Sequence, residues 1–219
     1  MKNFLILLRS YLFAKRFFVF KFLKISIIFD IKKLSLTKIN CLENHDLFTL
    51  VDIFHYEIYG LKLDWVSEKL HEKKNNRKML ILDIGANIGA SSIYFLKQFP
   101  DAELVAIEAS HRNYQILQKN LKKFKNKIIL NNAISYEDEV FLKESSHSNA
   151  DRLLNPNELK ENPQIKENLE SVKKISCHDI DGVLRESFFG ILKIDIEGAE
   201  EVFFDEYESI ASKFQIIQV

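Results

Sequence analysis

Met79 to Gly89 reads MLILDIGANIG, an uninterrupted apolar run that opens onto two glycines. Met79 to Ile84 has the length and content of a strand buried on both faces, as strands of a parallel sheet are. Gly85 and Gly89 then mark the place where that strand turns into a helix. Glycine at such a junction accepts a positive φ, and without a Cβ it lets backbone amides and a ligand come close. In an open parallel sheet, ligands bind at the carboxyl ends of the strands, where the strand order reverses. The spacing D-x-G-x-x-x-G differs from the dinucleotide pattern G-x-G-x-x-G, whose second glycine admits a pyrophosphate. Ala86 and Asn87 crowd that approach, so a nucleoside ligand without a pyrophosphate fits better.

Working outward, Ser91 to Phe99 has helical spacing and is ended by Pro100 and Asp101. Leu104 to Glu108 reads as a second buried strand, His111 to Phe124 as a second helix, and Lys127 to Asn132 as a third strand. Strands alternating with helices predict an α/β fold, a mostly parallel sheet with helices on both faces. Beyond Ile134 the pattern shortens to β-like pieces at Glu139 to Lys143 and Val172 to Cys177. The polar stretch between them, Ser145 to Glu170 with Pro156 and Pro163, reads as a surface insertion holding at most one short helix. A helix over Asp179 to Glu186, a fourth strand at Gly190 to Ile196, a helix from Ala199 to Tyr207 and a fifth strand at Phe214 to Val219 complete the pattern. Upstream, Asp46 to Leu70 reads as a strand or short helices leading into a helix over Asp64 to Lys73.

The 219 residues are 47% apolar, which excludes wholesale disorder, and they allow one domain with an appendage. Basic and acidic residues balance at 31 each, but residues 1 to 40 hold nine Lys or Arg against the single acid Asp30. The rest of the chain is therefore acidic on balance, which argues against a nucleic-acid binder, since such a body carries a basic stripe. Cys41 and Cys177 lack metal-ligand spacing, so no disulfide framework or zinc site is signalled and a reducing, cytoplasmic setting fits. Residues 1 to 45 form the basic, hydrophobic extension and residues 46 to 219 the main domain.

Residues 4 to 29 contain seven of the 18 Phe, with Arg9, Lys15, Arg16, Lys21 and Lys24 interrupting every apolar run. No stretch reaches the roughly 18 uncharged residues of a spanning helix. Two readings are open: a basic aromatic helix lying on the anionic inner face of a membrane through residues 1 to 30, or a helical extension packed on the body.

Three strands end in polar residues that the fold would gather at one rim: Asp83, Glu108 and Asn132. An acid at the end of the second strand can accept from both hydroxyls of a ribose, and the Asn132 amide can meet an adenine edge. The fourth strand ends in KIDIEGAE, Lys193 to Glu200. Alternation along a strand sends Lys193, Asp195 and Glu197 one way and Ile194 and Ile196 the other. Gly198 permits a sharp turn, and Glu200 falls in a first helical turn, where a carboxylate suits the helix dipole.

Together these residues resemble the FkbM family of S-adenosylmethionine-dependent methyltransferases. The resemblance runs from about Leu47 to Val219 and rests on DIGANIG at 83 to 89, Glu108, NNAIS at 131 to 135 and KIDIEGAE at 193 to 200. DIFHYEIYG at 52 to 60 is similar to that family's approach segment. The resemblance implies a Rossmann-like methyltransferase sheet, S-adenosyl-L-methionine as cofactor, and transfer to a hydroxyl oxygen of a sugar, a glycan or a small metabolite. Gly85, Ala86, Asn87 and Gly89 would wrap the methionine part, with Asp83 anchoring the turn and Glu108 and Asn132 holding the nucleoside. Asp195, and after it Glu197, would take the hydroxyl proton, and Asp195 could instead hold the methionine part. No metal is assigned, since Lys193 already supplies positive charge beside these acids.

Two departures stand out. Ala109 replaces the Pro usual after the strand-ending acid. The sheet is also expected to end after its fifth strand, two short of the usual number, which leaves open a truncated product, an edge paired with another chain, or an inactive protein. Two other functions compete: a membrane-associated binding protein that keeps the fold without transfer, and a NAD-dependent oxidoreductase, which the glycine spacing disfavours. Acceptor identity and oligomeric state are not signalled.

Overall fold

The computed structural model describes residues 17–22, 24–30, 35–42, 46–60, 79–143, 152–154, 169–184, 189–196 and 198–219. The chain enters through β1 (Phe17–Phe22), β2 (Ile25–Asp30) and β3 (Ser35–Asn40), an antiparallel three-stranded sheet. This corrects the helix expected over residues 4 to 29, at least for its described part. The reason is local: FFVFKF and ISIIFD are aromatic and β-branched, types that suit a pleated, half-buried surface. Burial alternates along β2, with Ser26, Ile28 and Asp30 inside. Ile28 and Ile39 belong to the same buried cluster as the main sheet, so the amino-terminal strands pack on the body. Asn120 fastens them further, its Oδ1 accepting from the Asn40 backbone N–H at 2.7 Å. Among the described residues no helix is long and apolar enough to cross a membrane.

α1 (Asp46–Leu50) runs into a π-helical turn, Val51–His55. The helix expected over Asp64 to Lys73 lies outside the described residues. The alternating layer follows: β4 (Met79–Ile84), α2 (Ala90–Gln98), β5 (Glu103–Ile107), α3 (His111–Leu121) and β6 (Lys127–Leu130). β7 (Glu139–Lys143), β8 (Arg152–Leu153) and β9 (Glu170–Lys173) form a small antiparallel sheet in the order β8-β7-β9. Most of the expected insertion, Ser145 to Glu170, lies outside the described residues. α4 (Cys177–Val183), β10 (Phe189–Ile194), α5 (Glu200–Glu206), α6 (Glu208–Ala211) and β11 (Ile216–Gln218) complete the chain.

Five strands in the order β11-β10-β4-β5-β6 pair in parallel throughout. Alternation divides the core into two layers. Met79 and Ile81 of β4 and Ile191 of β10 face a cluster with Ile93, Phe95 and Leu117 of α2 and α3. Leu80, Leu82, Ile84, Leu192 and Ile194 face the opposite cluster with Phe203, Tyr207 and Ile210. Helices thus cover both faces, as the uninterrupted apolar strands require. The strand order reverses at β4, whose neighbours are β10 and β5, and the crevice of such a sheet opens there.

Candidate functional site

The turn after β4 is built from its own backbone. Gly85 has φ +73°, and a Cβ there would lie 1.8 Å from the carbonyl oxygen of Asp195. The glycine is needed because the chain leaving β10 passes against it, and Gly85 also lines the cleft described below. The amides of Gly85 and Ala86 both donate to the Ile107 carbonyl at 3.0 Å, and Gly89 donates to Ala86. Asn87 takes the left-handed conformation at φ 50°, which Asn tolerates better than most residues. Its N–H donates to Glu108 Oε2 at 2.8 Å. The turn therefore offers no ring of free amides of the kind that cradles a phosphate, in keeping with the crowded glycine spacing.

Asp83 works beneath the site. By alternation it points to the same face as Met79 and Ile81, where Ser91 and Ser92 at the start of α2 donate to its Oδ2 at 2.7 and 2.6 Å. The parallel register sets Lys193 directly beside it, and the ammonium lies 3.2 Å from Asp83 Oδ1. Lys193 also donates to the Gly85 carbonyl at 2.7 Å. Both residues are buried, and each supplies the counter-charge the other needs. Asp83 and Gly89 are not among the residues lining the cleft; they shape the turn that does.

A cleft of about 250 Å³ opens above this turn. Gly85, Ala86 and Asn87 line it, together with Glu108, Asn132 and Asp195. The strand ends of β4, β5, β6 and β10 thus converge as the sequence predicts. Glu197 lies outside the described residues. Glu200, expected in the same region, is engaged in the turn before α5, accepting from the N–H groups of Ile196 and Gly198 at 3.0 and 2.9 Å.

Glu108 follows β5 and is buried. Its Oε2 receives Asn87 N–H, and its Oε1 receives Ser110 N–H at 2.9 Å. Burial pushes its carboxyl up to about 7, while those two amides, Lys193 and the Asn113 side chain pull the other way. With the amides of Asn87 and Ser110 and the Asn113 side chain bonded to it, the carboxylate has acceptor capacity left for a ligand hydroxyl. Asn132 donates from its amide to the Lys173 carbonyl at 3.3 Å. Its neighbour Asn131 is spent on structure, donating to the carbonyls of Glu108 and Ala109 at 2.9 and 2.8 Å. Asn87 Oδ1 is buried without a hydrogen-bond partner among the described residues.

Sequence reasoning did not assign Tyr59, which lines the cleft and donates from its hydroxyl to Asp195 Oδ2 at 2.9 Å. Burial first, and then the charge of Asp195, push its phenol well above the ordinary range. The one signal available was its place in DIFHYEIYG, immediately before Gly60. Asp46 and Asp52 were missed too; both line the cleft from the α1 side.

A five-stranded parallel sheet with helices on both faces and a polar cleft at its reversal point defines a Rossmann-like protein. A family profile described as methyltransferase FkbM domain matches residues 83–219. The chain belongs to that family. A search of curated proteins finds no match. Among solved structures, the chain is similar to the plantazolicin methyltransferase BpumL in complex with SAH, at 14% identity and a TM-score of 0.37, over 79% of this chain and 51% of that one. It is similar to the fibrillarin/Nop5p complex at 12% identity and a TM-score of 0.33, over 60% of this chain and 43% of that one. It is also similar to precorrin-6y C5,15-methyltransferase from Geobacter metallireducens at 16% identity and a TM-score of 0.32, over 68% of this chain and 60% of that one. The chain spans about half the length of the first structures it matches.

The residues present fit an S-adenosyl group. Glu108 offers acceptors for a diol, the partnerless Asn87 Oδ1 offers one for a hydroxyl or ammonium, and Ala109, Ala133 and Ile134 give an apolar wall beside them.

Proposed function

We propose that this chain is an S-adenosylmethionine-dependent methyltransferase that acts on a hydroxyl oxygen of a sugar, a glycan or another small metabolite. The observation that carries the reading is the convergence of Glu108 and Asp195 on one cleft above the β4 turn. When bound, S-adenosylmethionine supplies a methyl group on a sulfonium that leaves as a neutral thioether. Glu108, Asn87 and Asn132 hold the nucleoside part, and the turn at Gly85 and Ala86 lies against the methionine part. Asp195, whose side chain is 55% exposed at the mouth of the cleft, takes the hydroxyl proton as the acceptor oxygen bonds to the methyl carbon. The remaining work is positioning, holding the acceptor oxygen in line with the methyl carbon.

Isothermal titration tests the cofactor side: S-adenosylhomocysteine is expected to bind and NAD to give no heat. Tritiated methyl transfer onto pooled neutral sugars and small alcohols tests the acceptor side. Absence of S-adenosylhomocysteine binding removes the reading, and binding without transfer to any hydroxyl acceptor favours a non-catalytic binding role.

A further inference from the structure

Tyr59 precedes the segment matched by the family profile, and it touches the proposed base of the site. We infer that Tyr59 is a positioning residue that fixes the Asp195 carboxylate for proton transfer. This rests on the methyltransferase reading above.

Three observations carry it. The first is the division of labour between the carboxylate oxygens. Tyr59 donates to Asp195 Oδ2 at 2.9 Å and Lys193 Nζ approaches the same oxygen at 3.8 Å. Among the described residues Oδ1 takes no hydrogen bond, so it is the oxygen left to a ligand in the cleft. The second is the cost accepted to bring Tyr59 there. Glu57 stands at φ 52°, a left-handed conformation that costs a non-glycine residue about 1–2 kcal/mol. Gly60 closes the same turn, donating to the Glu57 carbonyl at 2.6 Å, where a Cβ on Gly60 would lie equally close to that oxygen. Backbone strain of this kind persists where the surroundings hold it, and it gathers at functional sites.

The third observation is that Tyr59 is held from behind. Gln218 of β11 donates to its carbonyl at 3.3 Å, and its ring packs 5.8 Å from that of Phe95. Lys193 lies 5.9 Å from the centre of the same ring. A side chain fixed by backbone, ring and hydroxyl can hold a carboxylate in one orientation, and the half-exposed Asp195 has no other described hydrogen-bond donor to its side chain. The phenol, kept protonated by its surroundings, remains a donor while Asp195 gains and loses the proton.

The test compares Tyr59→Phe with the wild type, both bound to S-adenosylhomocysteine. Phe keeps the ring and the backbone contacts and removes only the donor. With ¹³C in the Asp carboxyls, and the Asp195 signal assigned by its loss in Asp195→Asn, that signal is expected to move in Tyr59→Phe and to stay in the control Tyr136→Phe. Affinity for S-adenosylhomocysteine should remain within about twofold, whereas methyl transfer to a responsive hydroxyl acceptor should fall by roughly tenfold or more in kcat with KM little changed. The reciprocal measurement, the Tyr59 Cζ signal in Asp195→Asn, decides the matter should Tyr59→Phe not fold. Unmoved signals, or full kcat in Tyr59→Phe, overturn the inference while leaving the methyltransferase reading intact. Wild-type protein that does not bind S-adenosylhomocysteine overturns the reading itself.

Discussion

Glu108 carries the pH dependence of the site. Its carboxyl is raised to about 7, with burial the main cause. A group whose folded pKa exceeds its ordinary value binds more protons folded than unfolded. Its contribution to stability is therefore full below the ordinary carboxyl range and is lost as pH rises through about 7. Ligand binding in the proposed complex runs the opposite way, because ribose hydroxyls would donate to the ionised carboxylate. Affinity for S-adenosylhomocysteine should rise between about pH 6 and pH 8, with a proton released on binding. Titrations in buffers of different ionisation enthalpy measure this, and Glu108→Gln should abolish the pH dependence. Asp83 behaves differently, since it neutralises the buried Lys193 and receives two serine hydroxyls. Asp83→Ala should cost about 3–5 kcal/mol of stability, read in urea denaturation, and should weaken cofactor binding only through the turn it supports. That role was hidden in the sequence because it depends on the register of two strands 110 positions apart, Asp83 beside Lys193. Glu108, Asn132 and Asp195 were legible because strand ends in a parallel sheet share one rim. Tyr59 was not, because a loop 136 positions from Asp195 delivers it.

The elements divide along the same line between local pattern and distant packing. β4 matches its expected span residue for residue, because a short apolar run followed by glycine has one reading next to a helical pattern. The strands β1 and β2 were misread because aromatic residues broken by lysine fit either a basic helix or a pleated sheet. Only the hairpin partner and the buried alternation of β2 decide between them. The glycines separate into three cases that a substitution series can rank. At Gly85 a Cβ meets the backbone of Asp195 at 1.8 Å on top of a positive φ, so Gly85→Ala should lose more than about 2 kcal/mol and the cleft with it. At Gly89 the neighbour at 2.7 Å is the tip of Leu117, which can move, so the cost should stay near the 1–2 kcal/mol of the left-handed backbone, roughly. At Gly182, within α4, nothing lies within 4 Å, and Gly182→Ala should stabilise by about 0.4–1 kcal/mol. Urea denaturation of the three variants checks the order.

At the scale of the whole molecule, a parallel sheet reversing at β4 raises four strand ends around one cleft, and the antiparallel sheet β1-β2-β3 joins the buried cluster on the α2 and α3 side through Ile28 and Ile39. Among the described residues the cleft's acids, Asp46, Asp52, Glu108 and Asp195, face a single cation, Lys193, which Asp83 and two carbonyls already engage. Such a lining suits a ligand with net positive charge, as a sulfonium bearing an amino group has, and an acceptor that is neutral. The most direct measurement is a crystal structure of the protein grown with S-adenosylhomocysteine. The expected result is a ligand whose ribose hydroxyls donate to the Glu108 carboxylate and whose sulfur faces Asp195 across the cleft. A cleft that excludes the ligand, or a ligand bound with Glu108 still engaged only by the protein's own donors, contradicts it.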